Sequence, residues 1–308
     1  MRGPRHPGAP ATILQRIGAG ARRYSAAYLL VGPATLVIGL LVFYPLALSV
    51  WDSLHVDNLL LQDHHFIGAR NYKDVLTDPA FVHAAKNTVA YFALVTAGSV
   101  LVGASMAFFL RGVTRLRAAW LVVILLPWAI PGTVTGALWS LIFNPQTGLL
   151  DGLLVGLHLR SEPVLWMGGT ASAIVAISLT LIWQIAPITA VILLAGLESI
   201  PTTLYEAAAV DGALSRRVFL RITLPLLRPA LAIALLQASV AGIGAFDQIV
   251  VLNGYSPNTV SVVMQLYLYA FRDFNFGFGI AASMVVTVSA LVVSVVYLKG
   301  LYREVAYS

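Results

Sequence analysis

Six apolar runs dominate the pattern of this 308-residue chain, and each is about as long as a helix that crosses a bilayer. They cover residues 26–51, 87–110, 120–143, 171–197, 230–252 and 276–298. Pro33, Pro131 and Pro187 fall inside them, which is tolerated in a membrane where neighbouring helices bond to the freed carbonyl groups. The pattern therefore predicts an all-α integral membrane protein with six transmembrane helices.

Composition supports the bilayer as solvent. The chain is 59% hydrophobic and 10% charged, whereas soluble domains carry about 25% charged residues. The net charge of +6 does not indicate a nucleic-acid partner, because the basic residues are spread through loops and form no stripe with aromatic residues. The absence of cysteine excludes a disulfide framework, a thiolate metal site and a cysteine nucleophile.

Charge between the runs predicts the orientation. If the N-terminus lies inside, 14 of the 19 basic residues fall in cytoplasmic segments, as the positive-inside rule requires. Both termini and the segment between the fourth and fifth runs are then cytoplasmic. The predicted cytoplasmic residues are Arg2, Arg5, Arg16, Arg22, Arg23, Arg111, Arg115, Arg117, Arg216, Arg217, Arg221, Arg228, Lys299 and Arg303.

The first run has a second interpretation, a cleaved signal peptide with Arg22 and Arg23 as its basic region. We do not favour it, because the run is too long and the residues at 43–46 (FYPL) are no small-residue cleavage site. We expect a poorly ordered cytoplasmic tail at residues 1–25, a first helix with an external segment at 26–86, a five-helix core at 87–298, and a cytoplasmic tail at 299–308.

The histidines offer little chemistry. His64 and His65 beside Asp63 suggest a metal site, but adjacent histidines point apart on regular structure. We therefore predict a solvated loop and no metal. The six histidines lie in the N-terminal tail or in and beside the predicted outer segments, which argues against a membrane enzyme.

The charged connector, residues 198–229 between the fourth and fifth runs, is the most ordered interruption of the apolar pattern. From residue 206 it reads EAAAVDGALSRRVFLRITLPLLRP. A helix is expected from Pro201 with a threonine N-cap, stopped at Asp211 and Gly212, since glycine accepts the left-handed geometry that ends a helix. A second helix over about 213–224 follows, after which Pro225 and Pro229 bend the chain into the next run.

Two interpretations of the connector compete. One is an amphipathic surface segment in which Arg217, Arg221 and Arg228 meet lipid phosphates. The other is a docking site, because Glu206 with Ala207 and Ala208 offers one polar anchor among side chains small enough for close approach. The second interpretation is favoured by a resemblance.

The connector closely resembles the EAA loop of permease subunits in ABC importers, whose pattern is EAA, a glycine at fixed distance, and I-x-LP. Glu206, Ala207, Ala208, Gly212, Ile222, Leu224 and Pro225 fill those places. Asp211, Ala213 and Phe219 make it similar to the carbohydrate-uptake branch, the maltose and glycerol-phosphate type permeases. Residues 66–72 (FIGARNY), 139–148 (WSLIFNPQTG) and 267–281 also resemble that branch, whereas residues 253–256 depart from its T-x-G-G run.

The resemblance implies a type I importer core working by alternating access, with the connector as a coupling helix against a dimer of ATP-binding subunits. It implies a second, non-identical permease, an external solute-binding protein, surrounding lipid, and a bacterial or archaeal cytoplasmic membrane. ATP and Mg²⁺ would be bound by the partner ATPase, because this chain has no phosphate-binding loop and is expected to bind no cofactor. The implied docking residues are Glu206, Ala207, Ala208, Asp211, Gly212, Ala213 and Phe219.

Polar groups inside the runs are candidates for a solute pathway, because they are costly in lipid. Trp183 with Gln184 would suit a sugar, and Gln237 and Asp247 are further candidates. Each also has a structural interpretation, since Trp183 can simply pack and Gln237 can bridge helices. The family's spacing adds Ile188, Gly242 and Ala245, although the last two are small and apolar and leave open whether this half contacts the solute.

We expect a di- or oligosaccharide as the solute, with glycerol-3-phosphate or a glycerophosphodiester as the alternative. The absence of Lys or Arg within the predicted runs favours a neutral solute. An ion-coupled transporter is a less favoured alternative, because it would need a buried acid–base relay and Asp247 is the only carboxylate well within a run.

Overall fold

The computed structural model describes residues 29–58 and 63–301. The predicted N-terminal tail and residues 302–308 of the predicted C-terminal tail lie outside them. The chain divides into two units, Met1–Asp52 and Ser53–Ser308. The first contains α1, Leu29–Asp52, an apolar helix of 24 residues with a π-helical turn at Gly39–Phe43. Its length suffices to cross a bilayer.

The second unit begins with a feature that the all-α prediction did not include, a two-stranded antiparallel hairpin. Strand β1, His55–Asn58, pairs with β2, Asp63–Phe66. The short helix α2, Arg70–Thr77, supports it, because Asn71 Nδ2 donates to the carbonyl oxygens of Ser53 and His55 at 2.9 and 2.8 Å.

The histidine pair, predicted to lie in a solvated loop, lies instead in strand β2 of this hairpin, where both residues are exposed. The His64 ring stacks on His55 with 5.2 Å between centroids, whereas His65 Nδ1 lies 2.7 Å from Asp63 Oδ1. The two adjacent histidines thus have different neighbours. Among the described residues, no group of three or more His, Asp or Glu could hold a metal ion.

Helix α3, Pro79–Gly112, is 34 residues long and begins eight residues before the predicted run. Asp78 caps it by accepting from the N–H groups of Ala80 and Phe81 at 2.6 and 3.3 Å, and Pro79 occupies the first turn, where its missing donor costs nothing. The expected boundary between residues 86 and 87 therefore falls inside a helix, and Lys86 lies within it.

The third predicted span is not one continuous helix. Helix α4, Arg117–Ala129, and α5, Gly132–Ile142, meet at 94°. Pro131 causes the break, because a proline forces the residue before it into extended geometry, and Ile130 has φ −81° and ψ 130°. The short helix α6, Leu149–Gly156, follows.

The connector also differs from its prediction. Helix α7, Thr170–Glu198, is followed by α8, Thr202–Val210, whose N-cap position is Pro201 and not a threonine. The predicted second connector helix is the start of α9, Ser215–Ile243. Pro225 and Pro229 lie inside α9 without ending it, and a π-helical turn at Phe219–Thr223 precedes Pro225, where the clash with the carbonyl four residues back would fall.

The fifth predicted span, 230–252, was therefore placed too late. Helix α9 ends at Ile243, and after a short break the chain forms α10, Asp247–Asn253, so Asp247 begins a short helix instead of lying within a span. Helix α11, Val262–Tyr267, continues as a π-helical turn, Leu268–Arg272, and α12 covers Phe276–Leu301. The described residues contain five helices suited to crossing a membrane, or six if the bent pair counts as one.

Helices α3, α7 and α9 form the centre of the second unit. Gly98 and Gly103 of α3 permit close approach to α7, because a Cβ at either would overlap the side chains of Ile182 and Thr189. Tyr91 is fully buried and donates to the carbonyl oxygen of Thr259 at 2.9 Å, which fixes the segment before α11 on α3. Small residues at such contacts let helix backbones approach where lipid supplies no hydrophobic drive.

Candidate functional site

Helix α8 of the charged connector ends in a complete Schellman motif. The Ala213 N–H donates to the Ala208 carbonyl at 2.9 Å, and the Gly212 N–H donates to the Ala209 carbonyl at 3.1 Å. Gly212 has φ +65°, the left-handed geometry that the motif requires. The Asp211–Gly212 stop predicted from the sequence is confirmed, and it fixes where α8 ends.

The predicted docking residues divide by exposure. Glu206, Ala207, Asp211 and Gly212 are exposed, Ala213 is half-buried, and Ala208 is buried beneath them. Phe219, in the π-helical turn, is 39% exposed and its ring lies 6.0 Å from that of Phe108 on α3. The outer surface of α8 thus has one carboxylate beside small residues, together with the exposed apolar side chains of Leu204 and Val210, and Ala208 is on its buried side.

Tyr205, which the sequence reasoning did not single out, joins α8 to two other helices. Its hydroxyl accepts from Arg111 Nη1 at 3.2 Å and lies 3.2 Å from Thr223 Oγ1. The Arg111 guanidinium carbon also lies 4.7 Å from the centre of the Tyr205 ring, within cation–π range. Because Tyr205 precedes Glu206 directly, these contacts hold the exposed part of α8 in place.

A second contact anchors the start of the connector. Arg117 Nη2 pairs with Glu198 Oε1, which joins the beginning of α4 to the end of α7. Both side chains are more than a third exposed, so the pair is worth little to stability. It lies where the chain leaves α7.

The bend cluster, which we define as Ile130, Gly132, Gln184, Asp247 and Gln248, lies where α4 and α5 meet. Gln184 Nε2 donates to the Ile130 carbonyl at 2.6 Å, and Gln248 Nε2 donates to Gln184 Oε1 at 2.5 Å. The break at Pro131 leaves the Ile130 carbonyl without its usual helical donor, and Gln184 supplies one. Gln248, buried to 6% exposure, is a member that the sequence reasoning missed.

Asp247 lies beside this network but remains exposed. A Cβ added at Gly132 would come within 2.7 Å of Asp247 Oδ2 and 3.0 Å of Gln248 Nε2, so Gly132 leaves the room that these side chains occupy. The cluster therefore presents a carboxylate near the Gln184 amide, which is bonded at both ends within the chain, and near the Gln248 amide, whose nitrogen is bonded to Gln184.

The predicted aromatic partner is close by. Trp183 is 36% exposed and meets Trp139 of α5 edge to face, with 5.9 Å between ring centroids. Ile188 lies one turn after Gln184 on the same side of α7 and is half-buried. Trp183, Gln184, Ile188 and Asp247 thus share one region of the molecule.

The remaining pathway candidates lie elsewhere. Gln237 Oε1 accepts from Thr189 Oγ1 at 3.3 Å, which is the helix-bridging arrangement. Gly242 packs on α3, since a Cβ there would lie 3.0 Å from Phe92 Cα. Ala245 is 2% exposed, and its carbonyl accepts from Ser261 Oγ at 2.5 Å. In this conformation Gly242 and Ala245 offer no surface to a solute.

The comparisons with known proteins agree with this architecture. The family model described as "Binding-protein-dependent transport system inner membrane component" matches residues 99–303. The trehalose/maltose transport system permease protein MalF of Thermococcus litoralis is 33% identical over 285 residues, covering 92% of this chain and 96% of the relative.

Two further curated relatives are similar over most of the chain. The sulfoquinovosyl glycerol transport system permease protein SmoG of Agrobacterium fabrum is 32% identical, with 89% of each chain covered. The trehalose transport system permease protein SugA of Mycobacterium tuberculosis is 30% identical, covering 93% of this chain and 92% of the relative.

A solved structure shares the fold. One chain of a bacterial ABC transporter involved in the import of the acidic polysaccharide alginate superposes with a TM-score of 0.77 at 21% identity, covering 94% of this chain and 99% of that one. With its long apolar helices, the protein is an integral membrane protein. It belongs to the family of inner membrane components of binding-protein-dependent transport systems.

Proposed function

We propose that this chain forms half of the translocation pathway of an ATP-driven importer for a di- or oligosaccharide, working by alternating access. Relatives whose names specify trehalose, maltose or sulfoquinovosyl glycerol support a sugar or glycoside as solute. A second, non-identical permease would supply the other half. An external solute-binding protein would deliver the solute, and the solved structure of an alginate importer with its periplasmic protein supports that kind of partner.

The exposed helix α8 is the observation that carries the proposal. It presents Glu206 and Ala207 outward on a segment whose end is fixed by the Gly212 motif and whose root is held by Tyr205. A separate subunit that binds ATP and Mg²⁺ would dock on α8, with Glu206 as the polar anchor and Asp211, Gly212 and Ala213 keeping the turn. The orientation predicted from the positive-inside rule, with α8 on the cytoplasmic side, also puts both termini in the cytoplasm.

The bend cluster supports a role on the solute pathway. Asp247 offers an exposed carboxylate, and Trp183, next to Gln184 in the chain, offers a partly exposed ring. A sugar site combines hydrogen-bonding groups with an aromatic face. Gln184 and Gln248 already bond within the chain, so their role is to hold the bend, while Asp247 and Trp183 offer surface to a solute. Gln237, Gly242 and Ala245 would serve packing between helices.

The alternative solute is glycerol-3-phosphate or a glycerophosphodiester. An anionic solute favours a cationic pathway, and the bend cluster contains a carboxylate and no Lys or Arg. Arg228 lies near the middle of α9 and Lys86 in the third turn of α3, and both are distant from this cluster in sequence. The charge at the bend therefore favours a neutral sugar.

The test is reconstitution of the chain with its ATP-binding subunit, second permease and binding protein. We expect Glu206→Ala to abolish most solute-stimulated ATP hydrolysis and transport of a labelled disaccharide while the free energy of unfolding stays within about 0.5 kcal/mol of wild type, because Glu206 is exposed. Glu162→Ala, an exposed carboxylate outside the connector, is the matched control. Unchanged stimulation in Glu206→Ala, or copurification without any ATPase, would contradict the proposal.

A further inference from the structure

The contacts that Tyr205 makes with Arg111 and Thr223, here called the Tyr205 joint, support an inference beyond docking. This inference rests on the proposed function. Among the described residues, the side-chain hydrogen bonds that connect α8 to other helices are those of Tyr205. Its ring and hydroxyl meet Arg111 in the last turn of α3, and its hydroxyl also meets Thr223 in α9. The Tyr205 side chain of α8 therefore contacts both α3 and α9.

The chemistry at the hydroxyl fixes the direction of one of its two bonds. A guanidinium only donates, so the Tyr205 oxygen accepts from Arg111 and its own proton is available to Thr223 Oγ1. The hydroxyl can serve both partners only when α3, α8 and α9 are together. Thr223 is 4% exposed, so a lost partner would not be replaced readily by bulk water.

The position of Thr223 within α9 connects the Tyr205 joint to the membrane helices. Thr223 closes the π-helical turn Phe219–Thr223, and such turns are places where a helix departs locally from its regular bonding, often at functional sites. Behind the turn, Leu227 of α9 packs in a buried cluster with Leu110 of α3 and Leu193 of α7. A displacement of α8 would reach these helices through Tyr205.

We propose that Tyr205 is a positioning residue that makes α8, the end of α3 and the start of α9 move as one body. With the joint intact, closure of the ATP-binding subunits against α8 displaces the membrane helices. Without the hydroxyl, α8 keeps its covalent ends and its outer surface but can shift relative to α3 and α9. ATP hydrolysis then continues while fewer cycles move solute.

The experiment measures solute imported per ATP hydrolysed in proteoliposomes that contain the complete transporter and its binding protein. Tyr205→Phe removes the hydroxyl and keeps the ring that faces Arg111. Both bonds of the hydroxyl are lost, so we expect the ratio to fall by at least the factor of about two to ten that corresponds to one net hydrogen bond. Thr223→Val, which is similar in shape, should lower it likewise, and the double variant should be no worse than the stronger single variant.

Tyr297→Phe is the control, since its hydroxyl accepts from Ser239 Oγ at 3.1 Å, so this variant also loses a hydrogen bond between helices, α12 and α9. It should leave the ratio unchanged. Thr223→Val is the test variant that matches it in losing a single bond to a tyrosine hydroxyl. A ratio in Tyr205→Phe that equals wild type, or falls no further than in Tyr297→Phe, would overturn the inference, as would full additivity of the double variant.

Docking is tested separately, so that the two proposals can fail independently. The chain has no cysteine, and Ala207→Cys therefore introduces a single exposed thiol. Cross-linking of this thiol to a cysteine in the ATP-binding subunit should occur equally with Tyr205 and with Phe at that position. Absent cross-linking in both backgrounds contradicts the proposed function. Cross-linking in both with an unchanged transport ratio contradicts only the role of Tyr205.

Discussion

In the charged connector the outward polar group, Glu206, is exposed, and the backbone beneath it is fixed by its own hydrogen bonds. In the bend cluster the Gln184 amide is bonded at both ends within the chain, to the Ile130 carbonyl and to the Gln248 amide nitrogen. The connector thus separates stability from the proposed docking role, because backbone hydrogen bonds fix the end of α8 while the Glu206 side chain stays exposed. The bend cluster combines stability with its proposed role, because its amides hold a broken helix that also borders the candidate pathway.

The two glycines of these regions show the same difference. Gly212 has open space where a Cβ would stand but φ +65°, so it is required for its conformation. Gly132 has no unusual φ, but a Cβ there would overlap Asp247, so it is required for the room it leaves. Substitutions can therefore separate a conformational requirement from a packing requirement.

The largest loss of stability is expected from Gln184→Leu. It leaves the Ile130 carbonyl without a donor and the Gln248 amide without an acceptor, at about 1–3 kcal/mol for each buried group left unpaired. Thermal unfolding in detergent measures it. Gln237→Leu is the control, since it removes one longer bond, to Thr189, and should lower the melting temperature less. Equal losses in the two variants would show that the bend does not depend on Gln184.

A smaller loss is expected from Gly132→Ala, about 1–3 kcal/mol from overpacking against Asp247 and Gln248. Because Asp247 Oδ2 is the nearest atom, Asp247→Ala should recover part of the loss in the double variant. Unfolding of the two single variants and the double variant completes the cycle. Strict additivity would place the Asp247 carboxylate away from Gly132.

The smallest of the three is expected from Gly212→Ala, about 1–2 kcal/mol, because an L-residue is strained at positive φ even where space is open. Gly212→Asn should cost less, since asparagine tolerates this geometry. Gly152→Ala is the control, because Gly152 lies in α6 with open space and no positive φ, and alanine there should be neutral or stabilising. If Gly212→Asn lowers the melting temperature more than Gly212→Ala does, the conformational explanation fails.

The sequence predicted the two regions unequally, for a physical reason. The stop of α8 depends on neighbouring residues, so Asp211–Gly212 could be recognised from its spacing. The bend cluster joins Gln184 to Ile130, 54 positions away, and to Gln248, 64 positions away, and a pattern of apolar residues contains no such information. Gln248 was nevertheless recognisable as a polar residue beside Asp247 in an otherwise apolar stretch.

The helix boundaries failed where proline and polar residues fell within helices. The apolar pattern treated Pro131 as tolerated, although it divides the third span, and treated Pro225 as a bend, although α9 continues through it. Whether a proline breaks a helix depends on whether the local backbone can accommodate it, as the π-helical turn does in α9. It also depends on neighbours that bond to the freed carbonyl groups. Tyr205 escaped notice because its partners are distant in sequence.

The continuity of α9 has a mechanical consequence. A helix of 29 residues is a rod about 43 Å long, which starts at Ser215 in the connector and ends at Ile243, four residues before Asp247. Such a rod acts as a lever. A tilt of about ten degrees about one end carries the other through about 7 Å on this geometry, more than one helical turn. A small rotation of α9 imposed at the connector would therefore displace its other end, near the bend, by a distance proportional to the length of the helix.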